Sequence, residues 1–113
     1  MAKYESALVG DFDALLRKLH NGIMSGSVSA SLEGGSDIQS GGVRCAVRVY
    51  ERYSYAGGNR LSMNVTLLGN ADQLFVSVIT SGGSKAMFFK INTWGEETFL
   101  EHAVRIVEDY KRM

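Results

Sequence analysis

Proline is absent from the 113 residues, cysteine occurs once, and the formal net charge is zero. No apolar run approaches the roughly 20 residues that a membrane-spanning helix needs. Each absence excludes something. Without proline, slow isomerisation of X–Pro bonds cannot limit folding. Turns must instead come from glycine, of which there are 13. A lone Cys45 forbids an intrachain disulfide and fits a reducing compartment. A balanced charge and a pI near 6.7 argue against a dedicated nucleic-acid binder, which carries a basic excess. The opening residues, from Met1 to Ser6, lack the long apolar stretch of a signal peptide, so the expected location is the cytoplasm.

What is present is alternation. Between Val43 and Ile91 the chain reads as strand patterns joined by glycine turns, with apolar residues at every second position. Val43, Cys45, Val47 and Val49 form the expected buried set of the longest strand. Arg44, Ala46, Arg48, Tyr50 and Arg52 form the opposite set. Leu61, Met63, Val65 and Leu67 line the next strand, and Gly69 to Asp72 is read as a turn. Leu74, Val76, Val78 and Thr80 alternate with Phe75, Ser77, Ile79 and Ser81. Gly82-Gly83 signals a hairpin turn, after which Met87, Phe89 and Ile91 alternate with Ala86, Phe88 and Lys90. Upstream, Ser27 to Glu33 alternates, and the glycine-rich run from Gly34 to Gly42 reads as a flexible loop or long hairpin tip. Lys3 to Val9 alternates weakly and is read as a short N-terminal strand.

Two segments carry helical periodicity. Asp11 caps the first, where Phe12, Leu15, Leu16, Leu19 and Ile23 fall on one face and Gly22 or Gly26 ends it. Thr93 and Glu96 match a capping box ahead of the second, whose apolar face runs from Phe99 to Tyr110. The expected fold is α+β: a five-stranded antiparallel meander plus the N-terminal strand, two helices on one face, in the order β-α-β5-α. No repeat or linker interrupts it, so residues 1–113 are expected to form one domain.

Two resemblances follow. The element order resembles the helix-grip arrangement of START/Bet v 1-like proteins, in which a curved sheet wraps a long C-terminal helix. That resemblance implies an apolar ligand held between sheet and helix. The segments Val43–Ser54, Ile79–Ser84 and Phe88–Glu97 resemble a family of small bacterial proteins classed as a domain of unknown function. This likeness implies a bacterial origin and no particular activity.

The candidate sites are surfaces rather than catalytic constellations. Residues 43–91 hold six basic and two acidic residues. Arg44, Arg48 and Arg52 recur every fourth residue on one strand, about 13 Å apart. With Tyr50 between two of them, and Phe75, Ile79 and Phe88 assigned to the same outer face, they form a candidate interface. An apolar patch of that kind marks association, so a homodimer or a protein partner is the first expectation, for a non-enzymatic protein. The alternative is a small apolar ligand in a pocket lined by Met63, Met87, Phe89, Trp94 and Leu100. A third reading, single-stranded nucleic acid on the arginine face, runs against the neutral charge. No cofactor or metal is expected: His20 and His102 lack partners at ligand spacing. Cys45 reads as a buried packing residue, Ser81 to Ser84 as a hairpin turn rather than a phosphate nest, and Glu97, Glu101 and Arg105 as a solvated helical ladder.

Overall fold

The computed structural model describes residues 1–53, 59–82 and 89–113, with the backbone alone for residues 89–97. Its elements are β1 (Ala2–Val9), α1 (Phe12–Ser25), β2 (Ser31–Ser40), β3 (Val43–Tyr53), β4 (Arg60–Asn70), β5 (Gln73–Gly82) and α2 (Phe89–Lys111). The strands form one antiparallel sheet in the order β1-β5-β4-β3-β2, and both helices lie across the same face. This is the α+β class expected from the alternation, with β1 contributing the fifth strand.

The strongest periodicities fold as they read. Asp11 caps α1, its carboxylate accepting from the Ala14 amide at 2.8 Å, and Gly26 is the C-cap. Phe12, Leu15, Leu19 and Ile23 are buried against the sheet. Leu61, Met63, Val65 and Leu67 of β4 meet Leu74, Val76 and Val78 of β5 beneath the helices, and Phe99, Ala103 and Val107 of α2 complete the core. Removing this set from water is the main stabilising term, since the free energy scales with apolar area buried.

Four expectations are corrected. The segment Gly34–Ser40 is strand, not loop: β2 begins at Ser31, pairs with β3 along its length, and turns tightly at Gly41-Gly42. Glycine and serine add little packing, but each supplies a backbone donor and acceptor that β3 satisfies. Gly41 takes φ +58°, which the tight turn requires. Val28, within the alternation read from Ser27 to Glu33, is fully exposed before the strand starts. A register shift between Leu32 and Gly34 bulges the strand there.

Gly69 belongs to β4 rather than to the turn. A Cβ there would stand 2.6 Å from the Phe12 ring, so the glycine makes room for the first turn of α1. The chain reverses at Ala71-Asp72 instead, with Ala71 at φ +55°.

Helix α2 starts at Phe89, earlier than the Thr93–Glu96 box, so Phe89 and Ile91 are helical where a last strand was expected. The topology gives the reason. A strand returning from β5 needs the free edge of β5, and β1 occupies it from Ala2↔Thr80 to Val9↔Gln73. Residues 83–88, and with them the second half of the expected Gly82-Gly83 turn and the start of the expected last strand, lie outside the described residues.

Strand β3 is inverted relative to its expected faces. Register with β4 pairs Ala46 with Leu67, Arg48 with Val65, Tyr50 with Met63 and Arg52 with Leu61. Directly paired residues share a face, so Arg44, Ala46, Arg48, Tyr50 and Arg52 lie on the helix side. Ala46 and Tyr50 are buried there, while Cys45, Val47 and Val49 point to the other side. The arginines fit because their stems pack and their heads find partners (Asp13, Asp37 and the Phe99 ring) near the helices.

Candidate functional site

The inversion of β3 changes which residues share a surface. Arg44 donates both guanidinium nitrogens to the Asp13 carboxylate, at 3.1 Å each, and stacks 4.1 Å over Phe12. The fork holds the Asp13 carboxyl below its usual range, chiefly through that hydrogen bond. Arg48 donates to Asp37 at 3.0 Å and to the carbonyls of Val47 and Ser36. Arg52 is 6 % exposed, its guanidinium 4.4 Å over Phe99. Tyr50 is buried, its hydroxyl 2.9 Å from His20 Nδ1, and burial pushes its pKa up. Arg44, Arg48 and Tyr50 therefore join the sheet to α1 and β2. They are not on the same face as Phe75 and Ile79, so the described members of the candidate interface divide between the two faces. Phe88 lies outside the described residues.

The residues named for a ligand pocket are placed as follows. Met63 is fully buried in the core and Leu100 is half-buried on α2 against it. Met87 lies outside the described residues, as do the side chains of Phe89 and Trp94. His102 donates from Nε2 to the Gly22 carbonyl at 2.7 Å and so ties α2 to α1. Among the described residues no three histidine, cysteine or acidic side chains gather as a metal site would need. No described helix is long and apolar enough to cross a membrane. A groove of about 820 Å³ runs between α1 and α2 on their outer side, past Lys18, His102, Arg105 and Arg112, with Glu108 and Asp109 among them. It is open and of mixed charge.

The feature that stands out is the sheet face away from the helices. Its composition follows from register. Ala7 of β1 pairs with Phe75 of β5, Phe75 with Leu68 of β4, Leu68 with Cys45 of β3, and Cys45 with Ile38 of β2. These five side chains form one apolar row that crosses every strand. Phe75 is 38 % exposed, Leu68 41 % and Ile38 61 %. The row on one side runs Val9, Gln73, Asn70, Val43, Ser40. The two on the other side run Glu5, Ser77, Thr66, Val47, Ser36 and Lys3, Ile79, Asn64, Val49, Gly34.

Across these four rows, every charge (Lys3 and Glu5) sits on the edge strand β1. In these rows the three inner strands present small polar and apolar side chains only; Glu51 of β3 and Arg60 of β4 lie on the same face beyond the rows, where they pair with each other. An ordinary solvated strand face alternates polar-out, usually with charge. A face depleted of charge at its centre has the composition of an interface core. Phe75 and Ile79 were legible from the sequence. Leu68, Cys45, Ile38 and Ala7 were not, because their membership depends on cross-strand register rather than on any local pattern. Cys45, expected to be buried, is half-buried in this row.

Residues 1–111 match a family of unknown function. No curated protein and no solved structure matches the chain.

Proposed function

Since this chain belongs to DUF6054, a family of unknown function, its surfaces must speak for it, and we propose a non-enzymatic bacterial protein of the cytoplasm that works by association, with the open sheet face as its docking surface. One observation carries this: the unbroken apolar row Ala7–Phe75–Leu68–Cys45–Ile38, flanked on the inner strands by neutral rows, with the Glu51–Arg60 pair of the same face lying beyond them. Exposed apolar patches framed by polar residues mark protein contacts. The free thiol of Cys45 suits a reducing compartment. The basic residues that suggested nucleic acid are turned to the helix side, where Asp13 and Asp37 engage Arg44 and Arg48.

The test is photocrosslinking in the cells that make the protein. A benzoylphenylalanine at Leu68, on the open face, is compared with one at Arg17, exposed on α1. The expected result is covalent protein adducts from position 68 and none from position 17. No adduct from position 68, or equal adducts from both, refutes the docking surface.

A further inference from the structure

We infer that the occupant of the open face is a second copy of this chain, packed sheet on sheet about a two-fold axis that runs along β4. The inference rests on the docking reading above and names its partner.

Three features point to self-pairing. The first is charge. Within these four rows a partner that reads charge finds nothing on β3, β4 and β5, and a neutral patch meets its own copy without repulsion; Glu51 of β3 and Arg60 of β4, on the same face beyond the rows, pair with each other. The second is area. Five strands at about 4.8 Å and four rows at about 6.8 Å give roughly 650 Å² per copy. Two copies then bury roughly 1,300 Å², above the ~1,000 Å² expected of a specific interface.

The third is shape, and it selects the axis. β4 is the middle strand, with two strands on either side. A two-fold axis along it lays β5 of one copy on β3 of the other and β1 on β2. In the central row, Phe75 then faces Cys45, Ala7 faces Ile38, and Leu68 faces its own counterpart. Large residues meet small ones on both sides of the axis, which lets two layers interdigitate. The same operation sets Lys3 against Gly34 and Glu5 against Ser36, so no like charges meet within the four rows, and Arg60, two rows further along the axis, is paired with Glu51 of its own copy. An axis along the row itself would instead press Phe75 onto Phe75. An isologous contact of this kind closes as a dimer and leaves no open end for polymerisation.

Sedimentation velocity on the purified chain at tens of micromolar tests the proposal. The expected species has twice the 12.3 kDa chain mass. Leu68→Lys places two ammonium groups on the axis and is expected to weaken the dimer on the order of 100-fold. Circular dichroism serves as the folding control, since Leu68 is not part of the core. Cys45→Phe alone is expected to give monomer, because two rings then collide. Adding Phe75→Ala to it is expected to restore the dimer. A monomeric wild type overturns the second copy. So does a dimer indifferent to Leu68→Lys, or a double variant that stays monomeric while folded. A monomer whose position-68 photoadducts are all to other proteins overturns the second copy and leaves the docking surface standing.

Discussion

Leu67 and Leu68 are neighbours of identical chemistry that end in opposite worlds. Leu67 is 0 % exposed between β4 and the helices, and Leu68 is 41 % exposed on the other side of the same strand. The pair samples the two faces of the sheet. The covered face holds large branched and aromatic side chains locked under α1 and α2. The open face holds mostly neutral side chains and one continuous apolar row, with charge at Lys3, Glu5, Glu51 and Arg60. The difference teaches that the two surfaces have separate tasks: one supplies stability to the fold, and the other is available for contact.

The largest expected effect tests that division directly. Leu67→Ala removes a fully buried side chain and is expected to cost about 2–5 kcal/mol, part of it from the cavity left behind. Leu68→Ala is expected to cost about 1 kcal/mol or less when the chain is dilute enough to be monomeric. Urea unfolding of both variants at low protein concentration decides the matter. Equal losses would mean that the open face is packed as tightly as the core, and that the comparison is false.

Strand β3 shows why the division was only partly legible in the sequence. In β4, Leu61, Met63, Val65 and Leu67 alternate with Ser62, Asn64 and Thr66, and polarity settles which set faces in. In β3 the two sets are valines with a cysteine against arginines with Ala46 and Tyr50, and side-chain polarity picks the wrong one. Register with β4 overrules it, because a one-residue slip would turn every side chain over. The burial of Arg52 over Phe99 and the Arg44–Asp13 fork then depend on contacts far apart in the chain, which no local pattern reveals. Gly34–Ser40 failed for the opposite reason. Its residues have weak strand propensity, and pairing with β3 imposes the extended form. The fold class was therefore readable from the helices, β4 and β5. The site was readable only at Phe75 and Ile79.

A smaller effect probes how closely the covering layer sits. Gly22 and Gly26 at the end of α1 face α2, and a Cβ on Gly26 would fall 2.1 Å from His102 Nε2. A Cβ on Gly22 would fall 2.5 Å from Ile106 Cδ1, the far end of a flexible side chain. Gly26→Ala must displace a ring that donates to the Gly22 carbonyl, and is expected to cost about 1–3 kcal/mol as an overpacking change. Gly22→Ala is expected to cost less, because Ile106 can turn away. A melting temperature for Gly26→Ala equal to wild type would show that the two helices are looser than the structure has them.

The smallest effect is electrostatic and lies where α2 reaches the edge of the covered face. Tyr4 turns towards α2 while its neighbours Lys3 and Glu5 turn to the open side. Its hydroxyl donates to Glu108 at 2.6 Å, and Lys111 donates to the same oxygen at 3.0 Å. The Tyr4 hydrogen bond, then that from Lys111, holds the Glu108 carboxyl below its ordinary value. A carboxyl depressed in the folded state contributes stability above its unfolded pKa, and that contribution is lost as the pH falls through the folded one. Thermal melts are therefore expected to drop on the acid side as Glu108 protonates. Tyr4→Phe removes the leading cause, so Glu108 should titrate nearer its ordinary value and this part of the acid loss should shrink. Lys3→Ala, on the opposite side of the same strand, should leave it unchanged. An NMR titration of the Glu108 carboxyl reads the shift directly, and a wild-type value already in the ordinary glutamate range would dissolve the proposed tie between β1 and α2.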